Sequence, residues 1–246
     1  MEAAAHTIRS AVCRVGELRQ AQASQAGLRD AVLAVKAVQA RRFAGTYKDI
    51  LSAGPFSAAA SFFLTQLYSA RDFAERDAQF ARIAGAIERF FPSAVVQTAV
   101  NLAKIHELTE SLDHHMGVAW QDGNSATGEA GRYLDAWRAV GRRADREAQL
   151  ADVLDIGREM ARLTRTPGLR TMLRMMRAPA HAAGLASLQD FLESGFDTFA
   201  SIARADGARA FLGIVKERES RLIEHLFDAP RVVGETQLAA TLGQAP

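Results

Sequence analysis

The densest run of chemistry-bearing side chains in the sequence is HELTESLDHH, residues 106 to 115. His106, Glu110 and Asp113 follow i, i+4, i+7 spacing, which places all three on one face of a helix. Imidazole and carboxylate groups in such an array ligate metal ions or move protons. One ion cannot take both His106 and His114 from a straight helix, because a rise of about 1.5 Å per residue separates them by about 12 Å. A metal or cofactor site would therefore use His106 with Glu110, or Glu110 with His114, and draw its remaining ligands from other helices. Glu219 is a candidate for such a ligand. It falls in register with Leu212, Val215, Leu222 and Leu226 on an otherwise apolar stripe, where a carboxylate must be paired, protonated or near an edge.

His106, Glu110, Asp113, His114 and Glu219 are thus the candidate metal-ligating set. The Glu-X-X-His pattern of carboxylate-bridged di-iron bundles is missing, since the third residue after Glu110 is Asp113. The competing reading is a polar seam: His106 bonds Glu110 or a neighbouring helix, Asp113 receives an arginine, and Glu219 bridges to another arginine.

A second feature is the acid-free interval from Arg162 to Gln189, which contains five arginines. On GLRTMLRMMR, Arg170, Arg174 and Arg177 form one edge and Leu169, Leu173 and Met176 an adjoining apolar face. Such a helix can meet an anionic membrane surface, an acidic partner or nucleic acid. The alternative is a solvated arginine edge over buried methionines. Cys13 has no histidine near it in sequence, which argues against a nucleophile.

Composition sets the frame for these side chains. The 246 residues are 48% hydrophobic and 24% charged, with six prolines, and the apolar residues recur at helical spacing. Net charge is +2, with 13 basic and 11 acidic residues up to Trp120 and 17 of each after it. Neither half is a polycation, so nucleic acid is disfavoured as a partner. A single cysteine excludes an internal disulfide and suits a reducing cytoplasm. The N-terminus lacks the apolar core of a signal peptide, and no stretch approaches the roughly 20 apolar residues of a membrane span.

The elements that position the candidates follow from periodicity. One helix runs from Gly27 to Leu51, stopped by Gly54-Pro55; a second starts near Phe56; a third carries Phe73, Phe80, Ile83, Ile87 and Phe90, with Asp72 and Glu75 spaced as a capping box. The fourth helix, from Ser93, holds the 106–115 array. QDGNSATG, residues 121 to 128, reads as an internal linker. After it come a helix from Tyr133 to Leu163 with a break near Gly141, a short one introduced by Thr166-Pro167 and ended by Ala178-Pro179, one carrying Leu185 to Phe199, and a last one carrying Phe211 to Leu226. The sequence contains no phosphate-binding loop, nucleophile elbow, His-Glu-X-X-His or fixed-period repeat.

The stretch FFLTQLYS, followed by RDFAERDAQFARI, LAKIHELTESLD and GLASLQDFLESGF, resembles an uncharacterised bacterial family named for its FFLEELY motif. The resemblance spans roughly residues 28 to 228, and Thr65 and Gln66 stand where the motif has glutamates. It implies a shared fold and transfers no activity, cofactor or catalytic residue.

The resulting expectation is an all-α, multi-helix globular bundle of about eight helices. Its halves are 1–120 and 129–232, packed as one globular unit, with a frayed tail at 233–246. The absent motifs favour a non-enzymatic, cytoplasmic interaction or regulatory protein with a protein partner or self-association. A metal- or cofactor-binding bundle using the 106–114 cluster is the alternative, and the arginine helix leaves open contact with an anionic surface.

Overall fold

The computed structural model describes residues 3–67, 73–123, 128–203 and 206–245. Among the described residues all regular structure is helical, as the periodicity requires. The helices are α1 (Ala3–Ser24), α2 (Leu28–Thr46), α3 (Lys48–Ser52), α4 (Ser57–Phe62), α5 (Ala74–Phe90), α6 (Ser93–Asp122) and α7 (Glu129–Val140). They continue as α8 (Arg143–Leu163), α9 (Leu169–Met175), α10 (Arg177–Ala182), α11 (Ala186–Ile202), α12 (Gly207–Asp228) and α13 (Arg231–Gly243).

The helices outnumber the expected eight because several periodic segments are broken without any break in their apolar stripe. Tyr47 interrupts α2 and α3 with φ −112° and ψ 19°, although Phe43, Tyr47 and Ile50 stay buried on one side. Gly141 and Arg142 both take positive φ, 63° and 54°, and divide α7 from α8. The Arg142 side chain supports this turn by donating to Asp145 and to the Ser111 hydroxyl. The aromatic run continues α4 as a π-helical turn at Phe63–Leu67, and Phe62 and Phe63 are buried core residues. The expected cap at Asp72 and the centre of the 121–128 linker lie outside the described residues.

The division at 121–128 does not describe the compact units. One unit comprises Met1–Gly16, Arg71–Glu107 and Asp152–Gly213; the other comprises Glu17–Ala70, Leu108–Ala151 and Ile214–Pro246. Each takes segments from both sequence halves. In the first unit, Ala5, Ile8 and Ala11 of α1 pack with Ala84 and Ile87 of α5 and Ala99, Val100 and Ala103 of α6. Alanine at most of these positions lets helix backbones approach closely. In the second unit, Val35 and Val38 of α2 join Met116 and Trp120 of α6, Tyr133, Leu134 and Trp137 of α7, and Ile223 and Leu226 of α12.

Four local expectations are corrected. The 233–246 tail is helix α13, whose Leu238 is buried in the second unit's core and which packs on α2 and α7. Arg231 anchors its first turn through two bonds to the Asp135 carboxylate. Pro179 does not end a helix: it lies in the first turn of α10, where a proline sacrifices no intrahelical hydrogen bond. Thr166-Pro167 does not cap α9, because Gly168 with φ 80° occupies the cap position. Phe90, expected on an apolar stripe, is exposed at the C-terminal end of α5.

Gly45 is the tightest helix contact in the second unit, since a Cβ there would lie 1.9 Å from the Thr241 carbonyl oxygen of α13. Gly45→Ala is expected to push α13 away and cost about 1–3 kcal/mol. Gly16→Ala in α1, with nothing within 4 Å of the new methyl, is expected to be neutral or to stabilise by up to about 1 kcal/mol. Urea denaturation of both variants checks this, and equal effects would contradict the close approach.

Candidate functional site

The seam reading of Glu219 follows from its surroundings in the second unit. Glu219 on α12 is 7% exposed, and its Oε1 accepts from Arg42 Nη1 of α2 at 2.6 Å and from the Tyr47 hydroxyl at 3.0 Å. Arg42 is itself buried. The apolar stripe of α12 therefore carries one carboxylate because α2 presents a guanidinium at the same depth. Sequence register located the acid, but its partners stand 177 and 172 positions away.

A second cluster in the same unit lies between α2 and α6. Lys36 Nζ donates to Glu110 Oε1 at 2.7 Å and lies 3.8 Å from Asp113 Oδ2. Gln39 Nε2 donates to Asp113 Oδ1 at 2.9 Å. Lys36 and Gln39 are one helical turn apart, as are Glu110 and Asp113, so the two helices meet as matched pairs. Burial pushes the Asp113 carboxyl above its ordinary range, while Lys36, Gln39 and Arg146 pull it down. Burial likewise raises the Tyr133 phenol against the pull of Arg146 and Arg42. Arg146 also stacks on Trp137, with Cζ 4.1 Å from the ring centroid. The expectation that Asp113 receives an arginine directly is corrected: its hydrogen-bond donor is Gln39.

His106 belongs to the first unit, where its Nε2 is 2.8 Å from Asp77 Oδ2 of α5. The histidine thus bonds a neighbouring helix rather than Glu110. His114 is held below its ordinary value by burial and then by His115. Among the described residues, no group of three or more His, Cys, Asp or Glu side chains is placed to hold a metal ion. Glu110, Asp113 and Glu219 instead meet Lys36, Gln39 and Arg42.

The arginine edge has partners that lie outside its own sequence interval. Arg170 pairs with Asp197 at 2.7 Å, and Arg177 grips Glu193, both acids of α11. Bonds from Arg177 and Gln189 hold the Glu193 carboxyl down at about 2. The acid-free interval is acid-free only along the chain. The apolar face is less buried than its periodicity implies: no residue of α9 is buried, and Met175 is 73% exposed.

Other arginines serve the helix ends, which leave backbone carbonyls without intrahelical partners. Arg138 donates to Leu226 and Ala229 at the end of α12, and Arg82 to Ala183 and Gly184 after α10. Arg132 takes Trp120 of α6, Arg165 takes Ala203 after α11, and Arg218 takes Thr46 of α2. Helix N-termini are met in the same way. Glu88 of α5 accepts from Ala4 and Ala5, and Gln79 of α5 accepts from Leu188 of α11. Sequence reasoning searched for caps within each helix and missed these. Their one visible signal was the predominance of arginine over lysine, whose fork geometry suits a pair of carbonyls.

The signs of the two shifts give opposite pH dependences. A raised Asp113 contributes stability below the ordinary aspartate value of about 3.9 and loses it as pH rises through the folded-state value. A depressed His114 contributes above the ordinary histidine value of about 6.5 and loses stability as pH falls through its folded-state value. The stability of wild type minus that of Asp113→Asn should therefore fall as pH rises from about 4. The same difference for His114→Gln should rise with pH up to about 6.5. Thermal or urea unfolding across pH 4–8 measures both, and flat differences would contradict the assigned burial.

No curated protein and no solved structure matches the chain. A family model described as "Domain of unknown function (DUF8198)" matches residues 18–232, a span that contains both seam clusters and the arginine helix. The chain belongs to the DUF8198 family.

Proposed function

We propose that the chain is a non-enzymatic interaction or regulatory protein whose contact surface is the α9–α10 segment. The observation that carries this reading is the exposure of α9. No residue of α9 is fully buried: Leu169, Met172 and Leu173 are partly covered, while Met175 at its end and Met176 just after it are 73% and 43% exposed. Methionine is adaptable and polarizable, which suits a surface that must accept another protein's side chains. Arg174 lies on the same helix, so an apolar contact with an acidic rim fits it best.

The interior charges support the same reading. The carboxylates with the most chemical promise, Glu110, Asp113 and Glu219, take hydrogen bonds from Lys36, Gln39 and Arg42. A metal ion at Glu110 Oε1, Asp113 Oδ1 or Glu219 Oε1 would have to displace those donors. Cys13 is exposed and is the single cysteine of the sequence, which suits a reducing compartment such as the cytoplasm. Among the described residues no helix is long and apolar enough to cross a membrane.

Capture with tagged full-length protein from its native host tests the surface. Wild type should retain one stable partner, or self-associate in light scattering. Met175→Asp with Met176→Asp should weaken that association at least about tenfold, the equivalent of about 1.4 kcal/mol. Arg174→Gln should weaken it mainly at low salt. Both variants should keep wild-type circular dichroism, because neither alters a buried side chain. Unchanged association in the methionine variant, or turnover of a substrate with no partner retained, would overturn the proposal.

A further inference from the structure

Among the buried side-chain polar atoms of the second unit that have no hydrogen-bond partner within the protein are Gln22 Nε2, Glu110 Oε2 and His114 Nδ1. Gln22 and Glu110 are 6% and 4% exposed. A buried polar atom left without a partner costs about 1–3 kcal/mol, so three together need an explanation.

Helix register argues that they converge. Glu110 and His114 stand four apart and share a face of α6. On α1, Arg19 Nη2 lies 3.9 Å from Glu110 Oε1, and just beyond the helix the Ala26 carbonyl accepts from Gln121 Nε2 at 3.0 Å. Interpolation between these two contacts makes Gln22 the α1 position in register with His114. Gln22 also follows Arg19 by three, which keeps it on the side of α1 that meets Glu110.

The inventory of donors and acceptors then selects the ligand. The Gln22 amide nitrogen donates. Glu110 Oε2 accepts, since Oε1 already holds the Lys36 ammonium at 2.7 Å. A neutral His114 whose proton sits on Nε2 also accepts at Nδ1. One donor and two acceptors complement a single water molecule, which receives one hydrogen bond and gives two. A metal ion fits less well, because a cation would face the Gln22 amide hydrogens and lie near both Lys36 and Arg19.

We propose that Gln22, Glu110 and His114 form a binding site for one ordered, neutral water between α1 and α6, and that this water fixes His114 in its Nε2–H tautomer. The site goes beyond the interaction reading and does not depend on it. Its consequence is a histidine whose protonation would eject or reorient the water, which links acidification to the α1–α6 contact of the second unit. The neighbouring charged groups are Arg19 on α1, Lys36 on α2, and Asp113 and His115 on α6.

The test uses the unmodified full-length chain. Nitrogen-15 spectra of its histidine rings at pH 7 should place His114 Nδ1 at the unprotonated position and Nε2 at the protonated one. Equimolar zinc should leave both resonances unmoved. A high-resolution crystal structure should show one water within hydrogen-bond distance of all three atoms. An Nδ1–H tautomer, an imidazolium at pH 7, a zinc-induced shift, a metal at the site, or direct contact among the three side chains without a water would each overturn the proposal.

Discussion

Arg42 and Glu219 meet at 2.6 Å with both side chains buried, and much of the second unit is arranged around that contact. An ion pair removed from water is costly to assemble and more costly to break. It therefore constrains what surrounds it. α12 must present Glu219 in register with Arg42 on α2, and Tyr47, at the break between α2 and α3, must turn its hydroxyl toward the same carboxylate. The Phe43 ring lies 4.3 Å from that of Tyr47, and its centroid is 6.0 Å from the Arg42 guanidinium carbon. The second α2 cluster follows the same logic one to two turns earlier, where Lys36 and Gln39 face Glu110 and Asp113.

The same economy of polar groups explains the arginines. Dividing a chain into many helices multiplies the termini whose carbonyls lack partners. Here arginines reach across to other helices and take those carbonyls two at a time, as Arg138 does with Leu226 and Ala229 and Arg82 with Ala183 and Gly184. Much of the basic content is consumed inside the fold rather than displayed to a polyanion. Pairing of Arg170 with Asp197 and of Arg177 with Glu193 extends this to the helix whose sequence looked most like an anion-binding stripe.

Most of the architecture was legible because helical periodicity is local. The stop at Gly54-Pro55, the break at Gly141 and the helix holding the 106–115 array all follow from residues within a few turns of one another. The buried register of Glu219 was legible for the same reason. What the sequence hid was nonlocal. Nothing near Glu219 names Arg42, and nothing near Glu110 names Lys36, 74 positions away. The C-terminal helix was hidden by Gly234, Thr236 and Thr241, which are weak helix formers, yet Gly234 is buried against Leu134 while Leu238 enters the core. Pro179 read as a stop because proline at a helix start and proline past a helix end look alike until the neighbouring turn is placed.

A double-mutant cycle at Arg42 and Glu219 tests most directly whether buried charge pairing, rather than a ligand-binding role, accounts for these side chains. Arg42→Met and Glu219→Leu should each destabilise the chain by about 3–5 kcal/mol, because each leaves one buried charge uncompensated. The double variant should be much less destabilised than the sum of the two, and near wild type if the apolar side chains pack. Additive losses would contradict the account, since they would mean that the two charges act on separate partners and not on each other.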